Sequence, residues 1–202
     1  SDLLLEKYIN YVPIEDKILN SKEIQIGVDV ARFGDDSTIM YVKQGNYIIE
    51  EIKLDKKDTM QTANRVARIV NEYSQNDIVA KIDGVGVGGG VIDRLAELQF
   101  PNLNIIEIQN NARAFNENEY CNAVTEMFYE FNEFLKRGFV SMPDDSELIE
   151  DLAGRKYEFD SKGRLRIESK DEFKKRFGRS PDKGDAFLMT WYNNEDLTLI
   201  KK

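Results

Sequence analysis

The chain has 202 residues, 41% hydrophobic and 32% charged, which suits one globular domain with a short appendage. Its 28 Lys+Arg against 37 Asp+Glu leave a net charge of −9, the wrong sign for a simple basic nucleic-acid binder. Histidine is absent and Cys121 is the sole cysteine, which excludes Ser-His-Asp triads, Cys-His pairs, histidine–metal nucleases, intrachain disulfides and cysteine-rich zinc sites.

Any catalysis must therefore rest on carboxylates, lysines, hydroxyls or a metal held by oxygen ligands. No run of about 18 apolar residues or leader pattern is visible, and the lone thiol suits a reducing, intracellular setting.

Residues 1–22 are amphipathic, and Leu3, Leu4, Leu5, Tyr8, Ile9 and Val12 predict a short helix or linker before Pro13. Ile24, Ile26, Val28 and Val30 then alternate with Gln25, Gly27, Asp29 and Ala31, a strand pattern followed by a turn at Phe33–Asp36. Residues 37–43 and 46–53 read as two more strands joined at Gln44-Gly45. A helix over about 58–74, capped by Asp58 or Thr59, shows Ala63, Val66, Ala67 and Val70 on its apolar face.

A strand from Ile78 to Asp83, a glycine-rich loop, a helix over about 89–98 and a strand from Leu103 to Ile108 follow. After a polar loop at 109–118, a helix over about 119–137 carries Val124, Met127, Phe128, Phe131, Phe134 and Leu135. The remainder reads as a short helix at 144–153, a hairpin at Tyr157–Phe159 and Arg164–Ile167, a helical turn or two at 171–177, and a last helix. That helix runs to about 194, with Ser180 at the N-cap and Pro181 first inside.

The order βββαβαβα predicts an α/β fold: a ribonuclease H-like mixed β-sheet flanked by helices, with a C-terminal β-hairpin extension. In that fold the first and fourth strands are neighbours, which brings Asp29 and Asp83 together. Both aspartates sit opposite the aliphatic residues of their strands, where a carboxylate is costly unless paired or metal-bound. The glycine-rich stretch Gly84–Gly90 fits neither the dinucleotide fingerprint nor the P-loop. Asp182 and Asp185 lie on one face of the last helix, and Asp35 and Asp36 follow the first strand.

A convergence of Asp29, Asp83 and Asp185, with Asp35, Asp36 and Asp182 nearby, would repel itself unless hard divalent cations such as Mg²⁺ or Mn²⁺ join it. Two such ions about 4 Å apart cleave phosphodiesters without histidine. Between Arg155 and Lys183 eleven Lys+Arg face six Asp+Glu, a local +5 that leaves −14 elsewhere. Lys162, Arg164, Arg166, Lys170, Lys174, Lys175, Arg176 and Arg179 are the candidate DNA-backbone contacts. Tyr157 and Phe159 are expected to pack rather than stack on bases.

Three blocks carry a resemblance. They are Ile26-Gly27-Val28-Asp29-Val30-Ala31 with Gly34-Asp35-Asp36-Ser37, Ile82-Asp83-Gly84-Val85-Gly86 with Val91-Ile92-Asp93, and Ser180-Pro181-Asp182-Lys183-Gly184-Asp185-Ala186. In this order and spacing, over about residues 24–192, the chain resembles the nuclease domain of the large terminase subunit of tailed bacteriophages. Asn122, Glu126 and Met127 resemble that family's Asn-x-x-x-Glu-Met helix, with Ala123-Val124-Thr125 where basic residues are expected. Gly184 replaces a more usual alanine.

The resemblance implies a metal-dependent endonuclease cutting concatemeric viral double-stranded DNA during packaging by two-metal-ion hydrolysis. Asp29, Asp83 and Asp185 would be catalytic metal ligands, assisted by Asp35 or Asp182. It implies a nuclease half at 23–202, and a junction at 1–22 to an ATPase domain. It also implies DNA, portal protein and small terminase subunit as partners, no membrane, and a place in the host cytoplasm at the procapsid portal. The basic hairpin at about 155–168 matches an element suggested to guide DNA. A RuvC-like junction resolvase shares the fold, a non-catalytic docking module remains open, and a sugar-kinase or actin-like ATPase would need a second domain.

Overall fold

A computed structural model describes residues 22–31, 37–55, 58–136 and 140–192. The expected N-terminal helix and the turn holding Asp35 and Asp36 lie outside these residues, as does everything past 192.

The strands are β1 (Glu23–Asp29), β2 (Ser37–Gln44), β3 (Tyr47–Asp55), β4 (Asp77–Asp83), β5 (Leu103–Ile108), β6 (Tyr157–Phe159) and β7 (Leu165–Ile167). The helices are α1 (Thr59–Glu72), α2 (Gly88–Leu98), α3 (Ala123–Lys136), α4 (Ser146–Ala153), α5 (Lys170–Phe177) and α6 (Asp182–Trp191). Five strands form one sheet in the order β3-β2-β1-β4-β5, and β6 and β7 form a separate hairpin. The β1–β2 and β2–β3 pairs are antiparallel, whereas β1–β4 and β4–β5 are parallel, giving the expected mixed sheet.

The alternation in β1 and β4 assigns the two faces. Ile24, Ile26 and Val28, beside Ile78, Ala80 and Ile82, pack under α1 and α2 through Ala63, Val66, Ile69, Val91 and Leu95. Burying one such aliphatic side chain contributes about 1.5–3 kcal/mol. Asp58 caps α1 in a reciprocal capping box with Gln61. The opposite face meets α6, whose Phe187, Leu188 and Trp191 join Ile39, Tyr41, Phe131 and Leu148. Gly27 lets α6 lie directly on β1, because a methyl there would overlap the carbonyl oxygen of Ala186.

Three expectations are corrected. α3 starts at Ala123 rather than 119, because Asn122 Oδ1 accepts from the Thr125 amide at 3.1 Å and its hydroxyl at 2.6 Å. Residues 119–121 turn instead to β7: Cys121 N donates to Leu165 O, and Leu165 N to Glu119 O. In α6, Pro181 is the cap and Asp182 the first helical residue, with no side-chain cap from its own segment. Asp151 of α4 fills that role, its Oδ2 accepting from Gly184 N at 3.0 Å. Lastly, Tyr157 and Phe159 do not pack: they are 59% and 65% exposed on the outer strand of the hairpin, whose inner strand buries Ile167.

Among the described residues no helix is long and apolar enough to cross a membrane.

Candidate active site

Asp29 and Asp83 each lie one residue beyond the Val28–Ile82 pairing of parallel strands, at matching C-terminal ends. By alternation both point to the face that α6 covers. The contact at Gly27 sets α6 so that Asp185 reaches the same place, and Asp182 lies one turn before it. Asp29 and Asp185 are buried, with side chains 6% and 1% exposed, while Asp182 is 25% exposed.

The Lys170 ammonium sits between them. Its Nζ lies 2.8 Å from Asp29 Oδ2, 3.0 Å from Asp185 Oδ2 and 3.7 Å from Asp182 Oδ1. Burial opposes the charge on this lysine, but Asp29, Asp185 and Asp182 outweigh it and raise its pKa well above the usual value. Ser169 places the side chain at the start of α5, where its capping box with Glu172 fixes the helix.

The carboxylates show the strain of crowding. Burial and then Asp29 push Asp182 up to about 8. Burial, followed by the charge of Asp29, raises Asp83 to about 6, against a hydrogen bond from Val85 N. Asp83 Oδ1 accepts from that amide at 3.0 Å, and Oδ2 from Asn110 Nδ2 at 3.3 Å.

Arg155, with a side chain 1% exposed, donates to Asp185 Oδ1 at 2.6 Å. Its guanidinium lies over the rings of Phe128 and Phe173, at 5.3 and 6.0 Å. Asp185 Oδ2 is buried and has no aligned hydrogen-bond donor, although Lys170 is within ion-pair distance.

The donor set fits a hard divalent cation. Three carboxylates collect around the Lys170 ammonium with Asp83 beside them, and a buried oxygen of Asp185 still lacks a hydrogen bond. Among the described residues no group of three or more Asp, Glu or Cys side chains is spaced so as to hold a metal ion. The ammonium of Lys170 holds the place between three of the carboxylates.

No local pattern in the sequence points to Arg155, Asn110 or Asp151, because their partners lie 30, 27 and 33 positions away. Lys170, expected among the DNA-backbone contacts, turns its side chain into the carboxylates. The other basic candidates divide. Lys162, Lys174 and Lys175 are exposed. Arg164 pairs with Asp160, Arg166 with Glu158 and Glu172, Arg176 with Glu168, and Arg179 with Glu150 and Asp151 of α4. Glu126 faces inward, accepting from Phe115 N, Asn116 N and the Tyr192 hydroxyl, so it anchors the loop before α3.

This mixed sheet, in the order β3-β2-β1-β4-β5 with helices on both faces, has the ribonuclease H-like fold. Within it, the chain has the fold of phage terminase nuclease domains. A lysine-to-alanine mutant of large terminase subunit gp2c from bacteriophage Sf6, with calcium, superposes at a TM-score of 0.79 and 15% identity, covering 96% of this chain and 98% of that one. The nuclease domain of large terminase subunit gp2 of bacterial virus Sf6 gives 0.77 and 16% over the same shares. The large terminase nuclease from thermophilic phage G20c, with bound magnesium, gives 0.61 and 16%, covering 90% of this chain and 83% of that one. No family model and no curated protein matches the sequence.

Proposed function

We propose that this chain is the nuclease domain of a phage DNA-packaging terminase, an endonuclease that cuts concatemeric double-stranded DNA with divalent metal ions. The observation that carries the reading is the convergence of Asp29, Asp182 and Asp185 on one cation beside Asp83, on this fold. Structural likeness to the Sf6 and G20c domains supports it, as does the presence of calcium and magnesium in two of them.

Asp29, Asp83, Asp182 and Asp185 would hold Mg²⁺ or Mn²⁺, and Asp35 is a further candidate outside the described residues. Two ions bound there supply an activated water and neutralise charge on the phosphodiester. The chain's own residues do the positioning. Arg155 fixes the Asp185 carboxylate, Asn110 and Val85 N fix Asp83, and Asp151 holds the start of α6. Lys170 neutralises the carboxylates and must give up their oxygens to an incoming ion. Lys162, Lys174 and Lys175, all exposed, are basic candidates for DNA phosphate contacts. DNA, an ATPase domain, the portal and the small terminase subunit are the partners, in the host cytoplasm.

The test is nicking of supercoiled plasmid with Mn²⁺, Mg²⁺ or EDTA, beside Asp83→Ala. The reading expects cutting that needs metal and disappears in the variant. Cutting by Asp83→Ala at the wild-type rate would contradict it.

A further inference from the structure

A cleft of about 230 Å³ opens beside the carboxylates, and Asp182 lies in its wall. Four cations reach it from four places: Lys53 on β3, Lys174 on α5, Arg179 in the following turn and Lys183 on α6. The hydroxyl residues Ser37 and Ser180 also line it. Glu147 and Asp182 are its two carboxylates, Ile39 is its apolar residue, and no aromatic ring is in the lining, so four cations against two carboxylates suit an anion better than a base.

We propose that this cleft seats the DNA phosphodiester next to the one being cut, and so fixes the strand's register on the carboxylate cluster. The inference rests on the nuclease reading above and adds a second phosphate subsite to it. Arg179 and Lys183 build the cleft's rigid wall. Arg179 is held by Glu150 and Asp151, and Lys183 by Glu51 at 2.7 Å and by Asp145. Lys53 is the cation contributed by the sheet. It is exposed on the edge strand, and its nearest carboxylate, Asp55, is 4.0 Å away. Ser37 Oγ donates to that carboxylate at 2.6 Å, and the lysine stays beyond hydrogen-bond distance of it, so its ammonium can turn to an incoming anion.

Because Asp182 belongs to both places, an anion in the cleft adjoins whatever the cluster holds. A lone anion would meet the negative charge of Asp182, whereas a nucleic-acid strand lays one phosphate in each place once the cluster carries a cation. No stretch of sequence announces this subsite: Lys53 and Lys183 are 130 positions apart and meet only through β3 and α6.

The experiment measures binding of a fluorescein-labelled DNA duplex in Ca²⁺ at several KCl concentrations, for wild type, Lys53→Ala, Lys53→Arg and Lys136→Ala. Lys136 pairs with Glu133 on α3 and serves as a remote control. Losing one phosphate contact lowers the salt slope by about 0.9. The expected result is that shift in Lys53→Ala, with affinity weaker by about 3- to 10-fold at 0.15 M salt. Lys53→Arg retains the slope and Lys136→Ala matches wild type. A wild-type slope and affinity in Lys53→Ala overturn the subsite while plasmid nicking by wild type leaves the nuclease reading standing. A wild-type protein that neither binds nor cuts DNA overturns both.

Discussion

Lys170 and Arg155 bring positive charge to the same carboxylates in different ways. Arg155 is fully enclosed, lies over two rings and holds one oxygen of Asp185. Lys170 is a third exposed and touches three aspartates without being enclosed by any of them. The first is built to stay, and the second competes with a metal. A unit charge about 4 Å away is worth on the order of 4 kcal/mol at an effective dielectric of 20. Lys170→Ala should therefore bind Mn²⁺ about tenfold more tightly or better. In EDTA the same variant should melt lower than wild type, because its carboxylates repel without a counter-charge. Thermal melts with and without Mn²⁺ check both signs, and an unchanged Mn²⁺ shift would contradict the competition.

At the scale of elements, α6 is where local preference and packing disagree. Gly184 in a helix's first turn is unfavourable by about 1 kcal/mol relative to alanine, so propensity alone predicts that Gly184→Ala stabilises. A Cβ there would lie 2.8 Å from Asp151 Cβ, and Asp151 is the group that caps this helix. Overpacking of this kind costs about 1–3 kcal/mol, so the substitution should destabilise in urea titration. The same episode shows what the sequence made legible. Strand alternation from Ile24 to Asp29 and from Ile78 to Asp83 located the sheet centre and two aspartates, since both signals are local. The cap of α6 falls one residue later than its sequence predicts because its acceptor comes from α4. The start of α3 was misread because residues 119–121 pair with β7 instead. Phe159 is expected to pack, but β6 leaves it 65% exposed. The inward turn of Lys170 was invisible because it depends on where α5 docks.

Over the whole molecule, charge is distributed unevenly with depth. The sheet centre buries two lysines. Lys81 donates to the Tyr192 carbonyl, and burial, then the charge of Lys43, lowers it to about 7. Lys43 lies over the Trp191 ring at 4.6 Å, and burial lowers it to about 8, partly opposed by Glu23. Glu130 also faces Lys81, and burial followed by Glu126 raises it to about 7. A lysine with a depressed folded pKa binds fewer protons in the fold than unfolded. It therefore adds stability as pH rises from its folded value toward 10.5, and that stability is lost as pH falls back. Glu130 acts in the opposite sense, below about pH 7. Wild-type stability in urea should therefore rise between about pH 7 and 9.5, and Lys43→Met should flatten the rise. An identical slope in the variant would place the ammonium in solvent.

The most direct measurement is calorimetric titration of Mn²⁺ into wild type, Asp29→Asn and Asp185→Asn, with each variant first shown to unfold cooperatively. The account predicts saturable binding to wild type and a loss of about tenfold or more, at least 1.4 kcal/mol, in each variant. Equal Mn²⁺ affinity in all three proteins would show that these aspartates, at the ends of two elements brought together by Gly27, do not form the metal centre.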